Sequence, residues 1–389
     1  MAQSKKSDHN LIVLNTKQYA EGLRATIQAG KNFAIFGRRG GGKTEIAKSE
    51  IRSTSVKHKG QDRLCREVYL NLSILERVDL GGYPDIVGVS ETEKERRKYV
   101  KFLLPAYLER LIEGDDPVVL LLDEVDKADN SLQAPLLELT QFRSVNGRQL
   151  PNLYAVIMTG NLIAEGSQRP SLPLLDRAEK YILEADGHQW LEWAGKSGNI
   201  HPSISAFIND NPVELFGELN EDENYADASP RGWHNASQLV KFGEEHRWST
   251  DLMSNKVSGC VGKKAGMRFK HYFDHYQHLL PLVGKIIDGK DVLSEYKKLE
   301  KTKQVILNMV LFSKLAGIIK AHMEKGGKRG PLPKEGEIVG KFIDNANVDA
   351  EMVLIAARCQ IGIDLFMKSG LDDIESWNKV LKSVQKKLG

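Results

Sequence analysis

The sequence predicts an α/β protein: a P-loop αβα sandwich around a central parallel sheet of five strands, followed by an all-helical half. Three observations lead there. Up to about residue 185, short β-branched and apolar runs alternate with helical patterns, as in a parallel sheet covered on both faces. The first strong run leads directly into "GRRGGGKT", a glycine loop ending in Lys-Thr. From about Asp186 the strand signals stop and apolar residues recur at helical spacing.

The five expected strands are Phe33–Phe36, Glu67–Leu72, Val118–Leu122, Leu153–Met158 and Lys180–Leu183. Before the third, "PAYLERLIEGDDP" reads as a helix: Pro105 suits a first helical position, Leu108, Leu111 and Ile112 share a face, and Gly114 ends it. Between the third and fourth strands, Asn146-Gly147 in "SVNGRQL" is a two-residue hairpin signal. In the second half, "NASQLVKF", "KQVILNMVLFSKLAGIIKAHM" and "AEMVLIAARCQIGIDLFM" carry helical spacing, and "GGKRGPLPKEG" (Gly326–Gly336) interrupts them as a loop. The expected organisation is a nucleotide domain over 1–185, a helical lid over 186–303 and a helical extension over 304–389.

The chain has 389 residues, with 55 basic and 52 acidic side chains and a net charge of +3. That balance marks neither a strongly acidic protein nor one built mainly to grip nucleic acid. Cys65, Cys260 and Cys359 are far apart and form no CxxC pair, which favours free thiols, a cytoplasmic setting and no cysteine metal site. The start "MAQSKKSDHN" has no apolar stretch after its lysines, so no secretory signal is expected. "HLLPLVGKII" is short and holds Lys285, and no stretch is read as reaching the roughly 18 to 20 apolar residues a membrane span needs.

"GRRGGGKT" fits G-x-x-x-x-G-K-[ST] through Gly37, Gly42, Lys43 and Thr44. Gly37, Gly40, Gly41 and Gly42 let successive backbone N–H groups turn toward phosphate oxygens, and the following helix, with Glu45 in its first turn, adds its positive end. Lys43 would reach the β- and γ-phosphates, and the Thr44 hydroxyl would hold Mg²⁺. "VVLLLDEVDKAD" ends a buried strand with Asp123, an expected Mg²⁺ partner, and Glu124, an expected base for the attacking water. A buried strand can also simply end in a solvated acidic turn, so this pair gains weight from the loop. Asn161 closes "VIMTGN" and offers its amide to the attacking water or the γ-phosphate, although Asn is also a common turn residue. Arg177 in "LPLLDRAEKY" can reach a phosphate on a neighbouring subunit or form a structural ion pair. In "SPRGW", Ser229 caps a helix with Pro230 and Arg231 in its first turn.

Taken together, "GRRGGGKT", "LLLDEVDKAD", "SVNGRQLP", "MTGN", "LPLLDRAE" and "SPRGW" resemble, in order and spacing, the AAA+ ATPases of the MoxR group over roughly Tyr19 to Leu239. The resemblance implies Walker A roles for Gly37, Gly42, Lys43 and Thr44, and Walker B roles for Asp123 and Glu124. It implies sensor 1 for Asn161, an arginine finger for Arg177 and sensor 2 for Arg231. It also implies ATP as substrate, a hexameric ring, a client protein and a partner with a von Willebrand A-type domain. "LSILERVDLGGYPD" (residues 72–85) is similar to the group's insert, and residues 144–150 to its hairpin. Asn255-Lys256 and Asn378-Lys379 are not followed by the pattern of a guanine-reading N-K-x-D motif. Protein remodelling is the leading expectation. A nucleic-acid-acting AAA+ ATPase is the rival, suggested by "KKAGMRFKH", "MEKGGKRGPLPK" and "KSVQKKLG"; a ring that binds nucleotide with little turnover is the third, disfavoured by Glu124. Arg38, Arg39 and the chain beyond about Lys303 find no counterpart in the resemblance.

Overall fold

The computed structural model describes residues 11–89, 97–162, 170–197, 200–217, 228–324, 334–363 and 374–388, with the single positions 366 and 371. The chain divides into two compact units, Met1–Ala185 and Asp186–Gly389. Most of the loop expected over 326–336 lies outside the described residues.

The first unit is built on a sheet of β1 (Ile12–Leu14), β2 (Phe33–Gly37), β3 (Arg66–Asn71), β4 (Val118–Asp123), β5 (Leu153–Asn161) and β6 (Glu179–Leu183). Their spatial order is β1-β6-β2-β5-β4-β3, with every pair parallel. The five expected strands thus form the sheet of the AAA+ αβα sandwich, and a sixth, β1, joins its edge. Three residues are too few to show an alternation, and Asn15 at once caps the next helix through a reciprocal bond with Gln18, which is why β1 escaped the sequence pattern.

Alternation along the strands sorts their side chains onto two faces. Phe33, Ile35, Val119, Leu121, Ala155 and Ile157 pack with Tyr19, Leu23 and Ile27 of α1 (Thr16–Gln28) and with Ala47 and Ile51 of α2 (Lys43–Ser53). Ala34, Phe36, Leu120, Leu122, Val156 and Met158 face the other way, onto Leu136 and Leu139 of α3 (Gln133–Phe142). Strands buried on both faces read as continuous apolar runs, which made them visible in the sequence.

Two ribbons were not expected. Ser55–His58 pairs antiparallel with Gln61–Leu64 across Lys59-Gly60, both at positive φ, and Tyr83–Val89 pairs with Arg97–Leu103. The first ribbon is mostly polar or charged, and the second mixes apolar with charged residues without strict alternation, so no apolar stripe announced them. The helix expected after Pro105 is confined to Ala106–Glu109, although Leu108 and Leu111 are buried as the pattern required. Ser144–Val145 and Arg148–Gln149 pair across Asn146-Gly147, at φ 48° and 76°, and Glu138 anchors this turn by accepting from Ser144 Oγ, Asn146 N and Gly147 N.

Among the described residues the second unit is helical throughout. Its longer helices are α4 (Gly187–Ser197), α5 (Pro202–Asp210), α6 (Pro230–Glu245), α7 (Thr250–Val261), α8 (Lys263–Ile287), α9 (Lys301–Glu324), α10 (Lys334–Ala346), α11 (Ala350–Gln360) and α12 (Glu375–Leu388). One core runs from Trp190 and Trp233 to Phe312, Trp377 and Val384. Within α9, Lys301–Ala321 is long and apolar enough to cross a membrane by length and composition, contrary to the expectation from sequence, and 56 % of that stretch is buried inside the unit.

Two glycines test this packing. A Cβ at Gly195 on α4 would overlap the Arg358 carbonyl of α11, whereas one at Gly259 on α7 would meet nothing within 4 Å. Gly195→Ala should therefore destabilise the helical unit by about 2 kcal/mol or more, as overpacking against backbone does. Gly259→Ala should be neutral or stabilise by up to about 1 kcal/mol. Thermal melting followed by circular dichroism checks both signs.

Candidate active site

The glycine loop connects β2 to α2 across the carboxyl edge of the sheet, the edge at which open α/β sheets present their ligand sites. Gly37 is required by a close approach, because a Cβ there would lie 2.7 Å from the Leu183 carbonyl oxygen of β6. Gly40 and Gly42 turn the loop at φ 68° and 87°, in the left-handed region that side chains avoid. The Gly41 N–H donates to the Arg38 carbonyl at 3.2 Å, and Gly42 stands at the N-terminus of α2. Lys43 follows as a buried residue whose ammonium donates to the carbonyls of Gly37 at 2.7 Å and Arg38 at 2.9 Å, and to Asn161 Oδ1 at 3.2 Å. The Tyr19 hydroxyl donates to the Lys43 carbonyl at 3.0 Å, pinning the first turn of α2 to α1. Glu45 lies exposed in that turn.

Asp123, the last residue of β4, meets the loop through Thr44, whose Oγ1 donates to both carboxylate oxygens at 3.1 Å. Tyr69 OH donates to the same carboxylate at 3.0 Å, and Thr159 Oγ1 donates to it as well. Burial, then the charge of and hydrogen bond to Asp123, push the Tyr69 hydroxyl up to about 12, so it remains a donor. Glu124 adopts a left-handed backbone, φ 57° and ψ 42°, which ends the strand abruptly and starts the 3₁₀ turn Val125–Lys127. Its backbone N–H donates to Asp123 Oδ1 at 3.0 Å, and its carboxylate accepts from Lys127 Nζ at 2.9 Å. Burial acts to raise the Glu124 carboxyl, but hydrogen bonds from Lys127, Ser73 and Asn71, with the charge of Lys127, outweigh it and hold the group below the usual carboxylate range.

Asn161, the last residue of β5, is buried. Its backbone N–H donates to Asp126 Oδ1 at 2.9 Å and its side-chain Nδ2 to Asp126 Oδ2 at 3.4 Å. The structure thus brings Lys43 to Asn161 and Thr44 to Asp123 in two hydrogen-bonded pairs on consecutive residues of the loop, with Glu124 joined to the second through its backbone. Arg177 is not part of either. Its guanidinium donates to Gln141 Oε1, at 2.9 Å from Nε, and to the Pro173 carbonyl. Arg231 is exposed in the first turn of α6, behind the Ser229 cap and Pro230, and belongs to the second unit.

No protein-family model matches the chain. No curated protein matches it either. Solved structures do. NtrX from Brucella abortus in complex with ATP is 14% identical, over 95% of this chain and 67% of that one, with a TM-score of 0.31. The Aeropyrum pernix ORC1 protein in complex with DNA is 13% identical, over 85% and 83%, with a TM-score of 0.37. A mutant RuvB from Thermotoga maritima is 14% identical, over 91% and 87%, with a TM-score of 0.32. The chain spans about two thirds of the length of the NtrX chains it is similar to.

The side chains suit a nucleotide polyphosphate and a hard cation. A buried ammonium, a glycine loop opening into a helix N-terminus, and a hydroxyl beside a carboxylate are the donor types such a pair requires. Sequence reasoning missed several supporting residues: Tyr69 and Thr159 on Asp123, Asn71 and Ser73 on Glu124, Asp126 on Asn161. Of these, Asp126 inside "DEVDKAD", Thr159 inside "VIMTGN" and Ser73 inside "LSILERVDLGGYPD" lay in stretches already singled out, but without a role.

It also missed Asn32, which organises the surroundings of Arg177. Asn32 is buried; its Nδ2 donates to the carbonyls of Thr140 at 3.0 Å and Arg177 at 2.8 Å, and its Oδ1 accepts from Arg143 at 2.7 Å and from Val156 N at 3.2 Å. All four positions of the amide are used. Asn32→Ala strands the Val156 N–H and takes one of three acceptors from the half-buried Arg143 guanidinium, and should cost about 3 kcal/mol in urea denaturation of the chain.

Proposed function

We propose that this chain hydrolyses ATP at the carboxyl edge of its sheet and uses the cycle to act on another macromolecule. The observation that carries the reading is that the consecutive Lys43 and Thr44 hydrogen-bond to Asn161 and Asp123, each at the end of a different strand far away in sequence. In this reading, Lys43 exchanges its loop carbonyls for the β- and γ-phosphates, and the Gly40–Gly42 amides complete the cradle. Thr44 and Asp123 would hold Mg²⁺, which would supply charge neutralisation on the phosphates. Glu124, held ionised by Lys127, accepts a proton from the attacking water, and the Asn161 amide orients that water.

Assembly belongs to the same proposal. Arg177 completes the site from a neighbouring subunit of a homo-oligomeric ring, hexameric as in the MoxR group, and Arg231 reports the nucleotide to the helical unit. The sequence resemblance supports a client protein, with a von Willebrand A-type partner, as what the ring acts on. A second reading, action on nucleic acid, is supported by the ribbon of Tyr83–Val89 and Arg97–Leu103. A two-stranded ribbon is a shape that enters a DNA groove, and its second strand carries Arg97, Lys98 and Lys101 in sequence.

Glu124→Gln should keep ATP binding and oligomer formation while lowering turnover by about 100-fold or more, measured by phosphate release. Normal turnover in that variant removes the role given to Glu124. Mixing Lys43→Ala with Arg177→Ala subunits should restore activity that neither has alone; a mixture as inactive as its parents removes the trans arrangement. DNA binding that falls steeply with salt selects the nucleic-acid reading, and no binding at about 50 mM salt eliminates it.

The depressed Glu124 carboxyl adds a pH prediction. A group lowered on folding stays ionised at its ordinary value, and both its contribution and its service as a base are lost only as pH falls through the lower, folded value. Lys127→Met should therefore move the acid limb of the rate profile to higher pH, toward the ordinary carboxylate value.

A further inference from the structure

Asp126 is a buried carboxylate, 2% exposed, that the hydrolysis scheme above does not use. It sits in the 3₁₀ turn begun by the left-handed Glu124, and both of its oxygens are directed at Asn161. A carboxylate only accepts and an ammonium only donates. Between Asp126 and Lys43, the Asn161 amide can therefore stand only one way, with Nδ2 toward Asp126 and Oδ1 toward Lys43. Turned over, it would set donor against donor on one side and acceptor against acceptor on the other.

The neighbouring Gly160 is shaped around this contact. A Cβ there would fall 3.0 Å from Asp126 Oδ1 and 2.8 Å from the Phe36 ring, so a side chain at 160 would press on the carboxylate. Strand β5 thus passes the turn closely enough for the backbone N–H of Asn161 to be held as well, which fixes where the amide begins as well as how it is turned.

We infer that Asp126 is a positioning residue for hydrolysis, which keeps the Asn161 carbonyl oxygen turned toward the attacking water when Lys43 turns to the nucleotide. The inference rests on the ATPase reading. With Lys43 engaged by phosphate, one of the two groups that orient the amide is gone, and Asp126 alone decides which end faces the chemistry. The oxygen can accept a hydrogen from the attacking water, whereas the NH₂ end cannot.

The test is a double-mutant cycle on the full chain. Asp126→Asn keeps the volume, but with its oxygen held on the Asn161 backbone N–H it turns an NH₂ toward the Asn161 side chain, so the turned-over amide becomes the satisfied one. Turnover should fall about tenfold or more, while the dissociation constant for ATP stays within about threefold and the melting temperature changes little. In an Asn161→Ala background, Asp126→Asn should have almost no further effect on turnover, because its route is already removed. Asp126→Ser, whose hydroxyl also donates and accepts, is run through the same cycle so that poor folding of one variant does not decide the result. Unchanged turnover in a folded variant overturns the inference. So do additive effects of the two substitutions, or parallel losses in turnover, ATP affinity and melting temperature. A wild-type chain that neither binds nor hydrolyses ATP removes the ATPase reading together with the inference, whereas an active wild type beside an equally active Asp126 variant removes the inference alone.

Discussion

The Asp123 carboxylate accepts from four donors carried by four stretches of chain: Thr44 at the start of α2, Tyr69 on β3, Thr159 on β5 and the backbone N–H of Glu124. Because a carboxylate only accepts, each of these groups must present a hydrogen to it, and together they fix the edge of the sheet relative to the glycine loop. The arrangement depends on the strands being parallel. Parallel neighbours bring the carboxyl ends of β2, β4 and β5 to the same edge, so the loop, Asp123 and Asn161 meet there whatever their distance along the chain.

Behind that carboxylate, a single left-handed residue sets the rest. A non-glycine residue in this conformation costs on the order of 1 kcal/mol and persists where its surroundings over-determine it. At Glu124 they do: its N–H is held by Asp123, its carbonyl accepts from Lys127 N at 2.9 Å, and its side chain is held by Lys127 Nζ. The turn sends the Glu124 carboxylate toward Lys127, Asn71 and Ser73 and brings Asp126 beneath Asn161. Two carboxylates two residues apart thereby acquire different surroundings, one with an ammonium beside it and one enclosed by an amide and a backbone N–H.

The second unit is stabilised in another way. Its helices share one apolar core rich in aromatic contacts, such as Phe207 against Trp233 and Phe312 against Trp377, and the long α9 runs through it. The same apolar character that buries α9 lets part of it pass a length-and-composition test for a membrane span, since both environments select against exposed charge.

Much of the first unit was legible in the residues alone, for a reason particular to its architecture. Buried parallel strands appear as unbroken apolar runs, and "GRRGGGKT" can be read because its glycines are demanded by the backbone rather than by partners elsewhere. The ribbon of Ser55–His58 with Gln61–Leu64 and that of Tyr83–Val89 with Arg97–Leu103 were not legible, since neither alternates apolar with polar residues strictly enough to show a strand period. Sequence by itself determined the layered α/β half, the helical half and the residue types of the glycine loop, because these follow from local periodicity and steric need. Only the tertiary structure decided that Asp126 faces Asn161, that Tyr69 and Thr159 share Asp123, and that Asn32 supports the backbone of Arg177. Those contacts join residues far apart in the chain, and no local pattern records which strands the sheet will set side by side.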